Sequence, residues 1–365
     1  GEDFGSPFQS KLYINGEFRD GTGNDELTRK SPAFGHIVSR YSVAQEVDAL
    51  AAIEAASNCF DSGKWSDMKG ADRSNMLLKI ADEIEKDLEG FAFLESMETG
   101  KPIQQARDEI NGAIDIWRYS ATLARNLHGD SYQNLGETMV ASTVREPIGV
   151  VSIITPWNFP FLILSQKLPF ALAAGCTAVV KPAELTTGTT IKLASILDKV
   201  GMPAGAVNIL IGSGRKLGNV LSTDPRVEMV SFTGSTGVGQ LVASQATSKM
   251  KKISMELGGK NPQIIMPDCD WEAAVDAVVF GVYFNAGECC NSGSRVLVHQ
   301  DIADKFLADV VLKSKQMKFG NPLDNSVKMG PMIHEGHFNE VLVYIDTAKK
   351  QGDEVLLGGN PIIHE

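Results

Sequence analysis

The chain has 365 residues, of which 43% are hydrophobic and 22% charged, with a formal net charge of −11. This composition is typical of a globular protein with two or more cores and excludes disordered and fibrous classes. The acidic balance, with a pI near 5.1, argues against nucleic acid and anionic membranes as partners, because most of the surface would repel phosphate groups. A small molecule is the expected partner.

The cysteines and the apolar stretches indicate where the chain resides. Five cysteines at irregular spacing form no disulfide framework and predict a reducing compartment, with the cytoplasm as the default. The first residues show no basic stretch followed by an apolar one, so we expect no signal peptide there. The longest apolar stretch, 150–180, is broken by Pro156, Pro160 and Lys167 and cannot cross a bilayer as one helix.

From Ala44 to about Asn126 the pattern is helical. Apolar residues recur at three-residue steps at Val47, Leu50 and Ile53, and a helical pattern continues to about residue 126. The sequence ETGKP at 98–102 predicts the end of one helix and the start of another. Between 129 and 148, β-branched and polar residues alternate, which is typical of an exposed antiparallel ribbon and of a contact between subunits.

A regular alternation of short apolar runs and helical stretches then begins. It predicts βαβ units around a parallel sheet, in which ligands bind at the carboxyl ends of the strands. The expected strands are 149–155, 177–180, 206–212, 227–234 and 251–257. After Gly258 a second α/β pattern starts, with strands near 263–266 and 296–298, and this second domain carries Cys290.

Two segments at the predicted strand ends suit a nucleotide. GSTGVG at 234–239 opens a helix and offers free N–H groups to a pyrophosphate, although a tight turn that needs glycine for steric reasons explains it equally well. VVKPAE at 179–184 places Lys181 and Glu184 just past a strand. The carboxylate could bind the ribose hydroxyls of NAD and repel the extra phosphate of NADP, while the alternative is a surface lysine and a glutamate at a helix start.

The vicinal cysteines Cys289 and Cys290 lie in FNAGECCNS, among small residues that leave room for a substrate. A thiolate near backbone donors is reactive, whereas burial in an apolar environment makes a thiol inert. No histidine or cysteine companion set has zinc spacing, so a metal site is disfavoured. A nucleophile, a redox pair and a core position, the last for Cys289 in particular, remain open from the residues alone.

Five segments in order carry a resemblance to a known family. They are TPWNFP at 155–160, VVKPAE at 179–184, FTGSTGVG at 232–239, MELGGKNP at 255–262 and FNAGECCNSGSR at 284–295. Together they closely resemble the signature segments of the NAD(P)-dependent aldehyde dehydrogenase superfamily. The resemblance covers nearly the whole chain, including LYINGEF near the start and ETGKP.

This resemblance implies an α/β fold with a Rossmann-like parallel-sheet cofactor domain, a second α/β catalytic domain and a projecting β-hairpin for oligomerisation. It assigns 1–128 and 149–257 to NAD binding, 129–148 to the hairpin and 258–365 to the catalytic domain, which we expect to be incomplete at its C-terminal end. The assembly it implies is a homodimer or a homotetramer. NAD is the implied cofactor, with NADP possible.

The implied reaction is the oxidation of an aldehyde to a carboxylic acid through a cysteine thiohemiacetal and a thioester. Cys290 matches the family's nucleophile, Glu256 its general base and Asn158 its oxyanion-stabilising amide. The residues that match cofactor contacts are Ile154, Thr155, Pro156, Trp157, Lys181, Glu184, Gly214, Gly218, Phe232, Gly234, Ser235, Gly239 and Leu257. Those that match the aldehyde tunnel are Phe159, Ile163, Gln166, Cys289 and Asn291.

Two positions depart from common family patterns. Gln166 stands where some members carry an aromatic residue, which favours a polar or small aliphatic aldehyde. Glu288 stands where many members carry glutamine, and its charge would raise the pKa of the thiol if it faced the cysteines.

Other functions are compatible with part of the pattern. A CoA-acylating semialdehyde dehydrogenase would release the thioester to CoA, but that subgroup commonly lacks a base at the position of Glu256. A non-catalytic scaffold with this fold would not need Cys290, Glu256 and Asn158 together. A thiol redox sensor would require both cysteines to be reactive. The sequence leaves the identity of the aldehyde open.

Overall fold

The structure is a computed structural model and describes residues 5–362. The strands are β1 (Phe8–Ser10), β2 (Leu12–Ile14), β3 (Glu17–Arg19), β4 (Glu26–Lys30), β5 (Ile37–Ser42), β6 (Ser131–Tyr132), β7 (Ala141–Ser142), β8 (Val150–Ile154), β9 (Thr177–Lys181), β10 (Val207–Ile209), β11 (Val227–Thr233), β12 (Lys252–Glu256), β13 (Pro262–Ile265) and β14 (Arg295–Val298). The helices are α1 (Glu46–Asp61), α2 (Gly70–Lys86), α3 (Leu88–Thr99), α4 (Ile103–Arg125), α5 (Pro160–Ser165), α6 (Leu168–Ala174), α7 (Gly188–Lys199), α8 (Gly214–Thr223), α9 (Thr236–Thr247), α10 (Trp271–Tyr283), α11 (Ala303–Ser314) and α12 (Glu335–Gln351).

The main sheet has the strand order β12-β11-β8-β9-β10-β2-β3. The pairs from β12 to β10 are parallel, and β2 and β3 continue the sheet antiparallel. After β8 the chain builds β9 and β10 on one side, then returns to build β11 and β12 on the other. Such a switch leaves a crevice at the carboxyl ends of β8 and β11, where ligands bind in open α/β sheets.

The sequence of each central strand explains its position. Every residue of β8 (VVSII) and of β9 (TAVVK) is buried, which is the pattern of a parallel strand covered by helices on both faces. The five predicted strands of the main sheet are confirmed, with bounds that differ by a few residues. The edge strands β2 and β3 and the separate sheet β1-β5-β4 were not predicted, because these short strands lack a long apolar run.

The helices predicted between Ala44 and about Asn126 are also confirmed as α1 to α4. Helix α3 ends at Thr99, and Gly100 follows with a φ of 85°, which favours glycine. A side chain at Gly100 would also meet Pro32 and Pro331 at about 3 Å. The chain then enters α4 after Pro102, so the turn 98–102 is fixed tightly against its neighbours.

The ribbon at 129–148 is shorter than the sequence pattern predicts. Only β6 and β7 pair, over two residues each, and the rest of the segment is irregular. Its apolar side chains are exposed, including Tyr132, Met139 and Val140. The projecting ribbon is therefore present, with most of its length outside regular strands.

A second hydrophobic cluster follows the main sheet in sequence. Strands β13 and β14 pair in parallel, and α10 and α11 pack with them around Ile265, Val275, Val278 and Phe306. This cluster is small, and apolar side chains nearby such as Phe280 are exposed. Within 5–362, no helix is both long and apolar enough to traverse a bilayer.

Candidate active site

The carboxyl ends of the central strands lie level with one another. The Thr155 N–H donates to the carbonyl of Lys181 at 3.1 Å, and the Gly234 N–H donates to the carbonyl of Glu256 at 3.1 Å. These bonds extend the β8–β9 and β11–β12 ladders by one step. They bring the segments predicted to bind a cofactor to one edge of the sheet, as the strand pattern requires.

The glycine-rich turn combines both interpretations that the sequence left open. A side chain at Gly234 would meet the Phe232 ring at 2.6 Å, and one at Gly239 would meet the end of the Leu257 side chain at 2.3 Å, so glycine at these positions avoids a shift of both neighbours. Gly237, in contrast, has open space where a side chain would lie. Ser235 is the N-cap of α9, and its hydroxyl oxygen accepts from the Val238 N–H at 3.5 Å. The hydroxyl proton stays free to donate.

Lys181 is not the surface lysine that one alternative assumed. It is 5% exposed, and its ammonium donates to the carbonyls of Pro182 and Gly212 at 2.9 and 3.0 Å. Burial lowers the pKa of Lys181 to about 8, and the nearby Glu184 carboxylate opposes this shift. Glu184 begins a short 3-10 turn and is half-buried. Lys181 is therefore buried at the carboxyl edge of the sheet, and Glu184 lies beside it, partly exposed.

Several features of this edge fit a bound nucleotide. The hydroxyls of Thr155 and Thr233 are buried, and neither has a hydrogen-bond partner within the described chain, which is unusual for buried polar groups. On the first turns of α8, Gly218 has open space where a side chain would project, and a side chain at Gly214 would only reach van der Waals contact with Lys181 at 3.9 Å. A ligand can thus approach the backbone at the starts of α8 and α9. Ile154 ends β8, and Pro156 follows Thr155 at the same edge.

A cavity of about 700 Å³ lies beside this edge and holds the groups predicted to carry the chemistry. Glu256 and Cys290 both line it. The residues predicted to form the aldehyde tunnel line it as well, namely Phe159, Ile163, Gln166, Cys289 and Asn291. Residues that lie far apart in the sequence therefore line one cavity.

The segment before the cysteines has an unusual backbone. After α10, Asn285, Ala286 and Gly287 have φ values of 52°, 57° and 77°. A left-handed conformation costs roughly 1–3 kcal/mol for a residue other than glycine, so Asn285 and Ala286 must be held by their surroundings. Asn285 is buried, and its amide donates to the carbonyls of Asn158 and Glu288 at 3.1 and 3.2 Å.

The side chain of Asn158 faces the same loop. Its amide nitrogen donates to the carbonyl of Glu288 at 2.9 Å, and its amide oxygen accepts from the Phe159 N–H at 3.2 Å. The two contacts fix which end of the amide carries the donors. One N–H remains, because an amide nitrogen has two.

The two cysteines differ in their surroundings. The Cys289 thiol lies 2.9 Å from the Asn291 amide oxygen, to which it donates. Burial raises the pKa of Cys289, so this residue is kept as a thiol. Cys290 is half-buried, and within the described chain its backbone N–H has no hydrogen-bond partner.

The Glu288 carboxylate contacts Ile333 and His337 rather than the cysteines. Its carboxylate accepts from the Ile333 N–H at 3.0 Å and lies 3.7 Å from a ring nitrogen of His337. Burial raises the pKa of Glu288 to about 7. It is not among the described residues that line the cavity, so the condition for raising the thiol pKa is not met.

Sequence reasoning missed three polar residues at the site. Lys167 lines the cavity and donates to Ser231 at 3.0 Å, and burial lowers its pKa against the pull of Glu256. Lys101 donates to the carbonyl of Asn158, and Trp157 packs edge to face on His337 at 5.4 Å. Lys101 stands in ETGKP, which indicates a helix end and is part of the family resemblance but carried no predicted role at the site. No sequence pattern indicated a role for Lys167 or His337.

The comparison with protein families decides the membership of this chain. The model described as "Aldehyde dehydrogenase family" matches residues 18–365. The chain belongs to the aldehyde dehydrogenase family. The recognition from sequence motifs and the predicted α/β fold are thereby confirmed.

Relatives of this aldehyde dehydrogenase agree in sequence and in structure. It is 37% identical over 348 residues to betaine aldehyde dehydrogenase of Bacillus subtilis, which covers 95% of this chain and 71% of the relative. The NAD-dependent aldehyde dehydrogenase from Sinorhizobium meliloti is 43% identical with a TM-score of 0.96, covering 97% of this chain and 71% of that one. Betaine aldehyde dehydrogenase from Staphylococcus aureus in complex with NAD+ is 36% identical with a TM-score of 0.95, covering 97% and 71%.

Proposed function

We propose that this aldehyde dehydrogenase oxidises a polar or small aliphatic aldehyde to the carboxylic acid, with Cys290 as the nucleophile and NAD as the cofactor. Aldehyde oxidation with NAD is the activity of the family and of its structural neighbours. The observation that carries the assignment of residues is the shared cavity of Cys290 and Glu256 at the carboxyl edge of the parallel sheet.

In the first step the Cys290 thiolate adds to the aldehyde carbon, and the electron pair of the carbonyl bond moves to its oxygen. The remaining Asn158 N–H and the unpaired Cys290 N–H are the donors for this oxyanion. Each such donor is worth about 3 kcal/mol to the transition state. Cys289, held as a thiol by burial and by Asn291, serves as a wall of the pocket.

The second step needs both an acceptor and a base. The electron pair on the oxygen re-forms the carbonyl bond as a hydride leaves the thiohemiacetal carbon, and NAD, when bound, would supply the acceptor for that hydride. The thioester that remains on Cys290 is cleaved by water, from which the Glu256 carboxylate takes a proton. The C–S bond then breaks and the thiolate is restored. General-base help of this kind is worth roughly a hundredfold to ten-thousandfold.

The proposed contacts with the cofactor are of two kinds, charged side chains and backbone N–H groups. Lys181 and Glu184 would contact the ribose, and a carboxylate there favours NAD over NADP. The first turns of α8 and α9, with Gly214, Gly218 and Ser235, would contact the pyrophosphate through N–H groups. The orphaned hydroxyls of Thr155 and Thr233 support a polar ligand at this edge.

The wider organisation follows the same proposal. Residues 1–128 and 149–257 would bind NAD, and 258–365 would form the catalytic part. The exposed apolar ribbon at 129–148 supports a homodimer or a homotetramer. Five free cysteines support a reducing compartment such as the cytoplasm.

One assay tests the chemistry and the alternatives. Aldehydes of graded size and polarity, including betaine aldehyde and aminoacetaldehyde, are mixed with NAD or NADP, and the absorbance of the reduced cofactor is followed. Polar or small aldehydes should give the highest kcat/KM, and CoA should not raise the rate. Cys290→Ala should abolish turnover, while Cys289→Ala should retain it. Absence of turnover with every aldehyde refutes the function, and equal loss in both variants refutes the choice of nucleophile.

A further inference from the structure

Lys101 is a buried cation that the proposed chemistry does not use. Its side chain is 1% exposed, and its ammonium contacts the Glu95 carboxylate at 3.3 Å and the Glu109 carboxylate. It also lies 4.7 Å from the centre of the Phe159 ring. Two carboxyl groups thus face one ammonium in the interior.

The third acceptor of this ammonium belongs to the active site. Lys101 donates to the backbone carbonyl of Asn158 at 2.9 Å, and the amide of Asn285 donates to the same carbonyl at 3.1 Å. Asn158 in turn donates through its side chain to the carbonyl of Glu288. The segment with the oxyanion donor and the loop with the nucleophile are therefore joined through one carbonyl oxygen.

A second arm reaches the loop from α4. Gln105 donates to the Glu109 carboxylate at 2.9 Å and lies 3.1 Å from the Asn285 amide oxygen. Asn285 is one of the two non-glycine residues in the loop with a left-handed backbone. The cluster thereby contacts a residue whose left-handed backbone is held by its surroundings.

We propose that Lys101 is a positioning residue for aldehyde oxidation: with Glu95, Glu109 and Gln105 it fixes the carbonyl of Asn158 and the side chain of Asn285, and so sets the Asn158 amide against the Cys290 loop. The inference rests on the proposed function of Asn158 and Cys290. Lys101 itself does not touch the substrate.

The charges of the cluster are consistent with this role. Burial lowers the pKa of Lys101, but the two carboxyl groups outweigh it and the net direction is upward, so the ammonium stays charged. Burial raises the pKa of Glu109, and the Lys101 ammonium opposes this rise. A charged donor binds a carbonyl oxygen about twice as strongly as a neutral one.

Lys101→Met tests the proposal in combination with Asn158→Ala. Alone, Lys101→Met should lower kcat about 10- to 100-fold, because misplacement by about 1 Å costs up to a hundredfold, while the dissociation constant of NAD changes little. In the Asn158→Ala background the same substitution should lower kcat less than about threefold, because the group that it positions is gone. A purely structural effect would lower kcat by the same factor in the wild-type and Asn158→Ala backgrounds. That result would refute the proposal.

Lys251→Met is the matched control. Lys251 is also buried and donates to backbone carbonyls, those of Asp224 and Val227, near the opposite ends of the strands from Thr233 and Glu256. It should lower stability without changing kcat by more than about twofold. Gln105→Met, which leaves the Lys101 ion pairs in place, should lower kcat about three- to tenfold, the value of one hydrogen bond.

Hydrogen exchange provides a readout that needs no turnover. Amides of 284–291 and 155–160 should exchange faster in Lys101→Met or Gln105→Met than in wild type or Lys251→Met. If neither variant changes exchange in these segments, the proposal is wrong even when both lower activity. If the wild type turns over no aldehyde, the proposed function fails, and faster exchange alone would still support the link between Lys101 and the loop.

Discussion

The carboxyl edge of the parallel sheet, where the cofactor is proposed to bind, and the loop that contains Cys290 are held in place by different kinds of interaction. The edge is formed by β8 and β9, in which every residue is buried, and backbone bonds from Thr155 and Gly234 extend its ladders. The loop with Cys290 follows α10, whose cluster has four buried hydrophobic residues, and it takes its shape from buried polar side chains. A large core fixes the first region, whereas single hydrogen bonds fix the second. Substitutions that break these hydrogen bonds should therefore change rate more than fold.

The largest expected effect is at Glu256, where the two regions meet. Glu256→Gln should lower steady-state turnover about 10²- to 10⁴-fold, because the thioester would lack a base for its hydrolysis. A burst of reduced cofactor, equal to the number of sites, should persist in stopped-flow measurements. Glu228→Gln, at an exposed position on the same sheet, is the control. Loss of the burst would show that Glu256 acts before hydrolysis.

A substitution at Asn158 tests the addition of the Cys290 thiolate to the aldehyde. Asn158→Ala should slow the burst about 10²- to 10³-fold, the usual cost of removing one oxyanion donor, with little change in NAD affinity. The burst rate and a fluorescence titration with NAD separate the two effects. An unchanged burst rate would assign the oxyanion to other donors.

Glu288 should affect stability rather than chemistry, with a defined dependence on pH. Its pKa is raised by burial to about 7, so the folded state holds a proton that the unfolded state releases, and stability is lost as the pH rises toward 7. Glu288→Gln removes this loss and can still accept from the Ile333 N–H. It should stabilise the protein by up to about 3 kcal/mol at pH 8 and by much less at pH 5. Urea unfolding at both values measures this, and equal effects at both would contradict it.

The smallest expected effect lies on the cofactor side. Glu184→Gln should raise the KM for NAD about tenfold, the value of roughly one charged hydrogen bond. It should also reduce the preference for NAD over NADP, measured as the ratio of their kcat/KM values. Asp198→Asn, exposed near the end of α7, should change neither. Initial rates with both cofactors give the ratio. A preference that stays the same would mean that the ribose is held by other groups.

The parts of the fold that were predicted share a physical cause. Runs such as VVSII and TAVVK are apolar throughout because they are covered on both faces, and this composition is visible without coordinates. The edge strands β2 and β3 and the irregular course of 129–148 were not predicted, since short or exposed segments leave weak patterns. The role of Lys101 was not predicted, because its partners at positions 95, 109 and 158 become neighbours only after α3, α4 and the end of β8 have packed.

By itself the sequence determined the family, the order of the parallel strands along the chain and the residue types of the chemistry, because motifs and apolar runs are local properties. Only the tertiary structure decided which groups share the cavity with Cys290, that Glu288 turns to Ile333, and that Lys101 reaches Asn158. Those facts depend on the direction of side chains between distant segments. Packing sets that direction, and no local pattern records it.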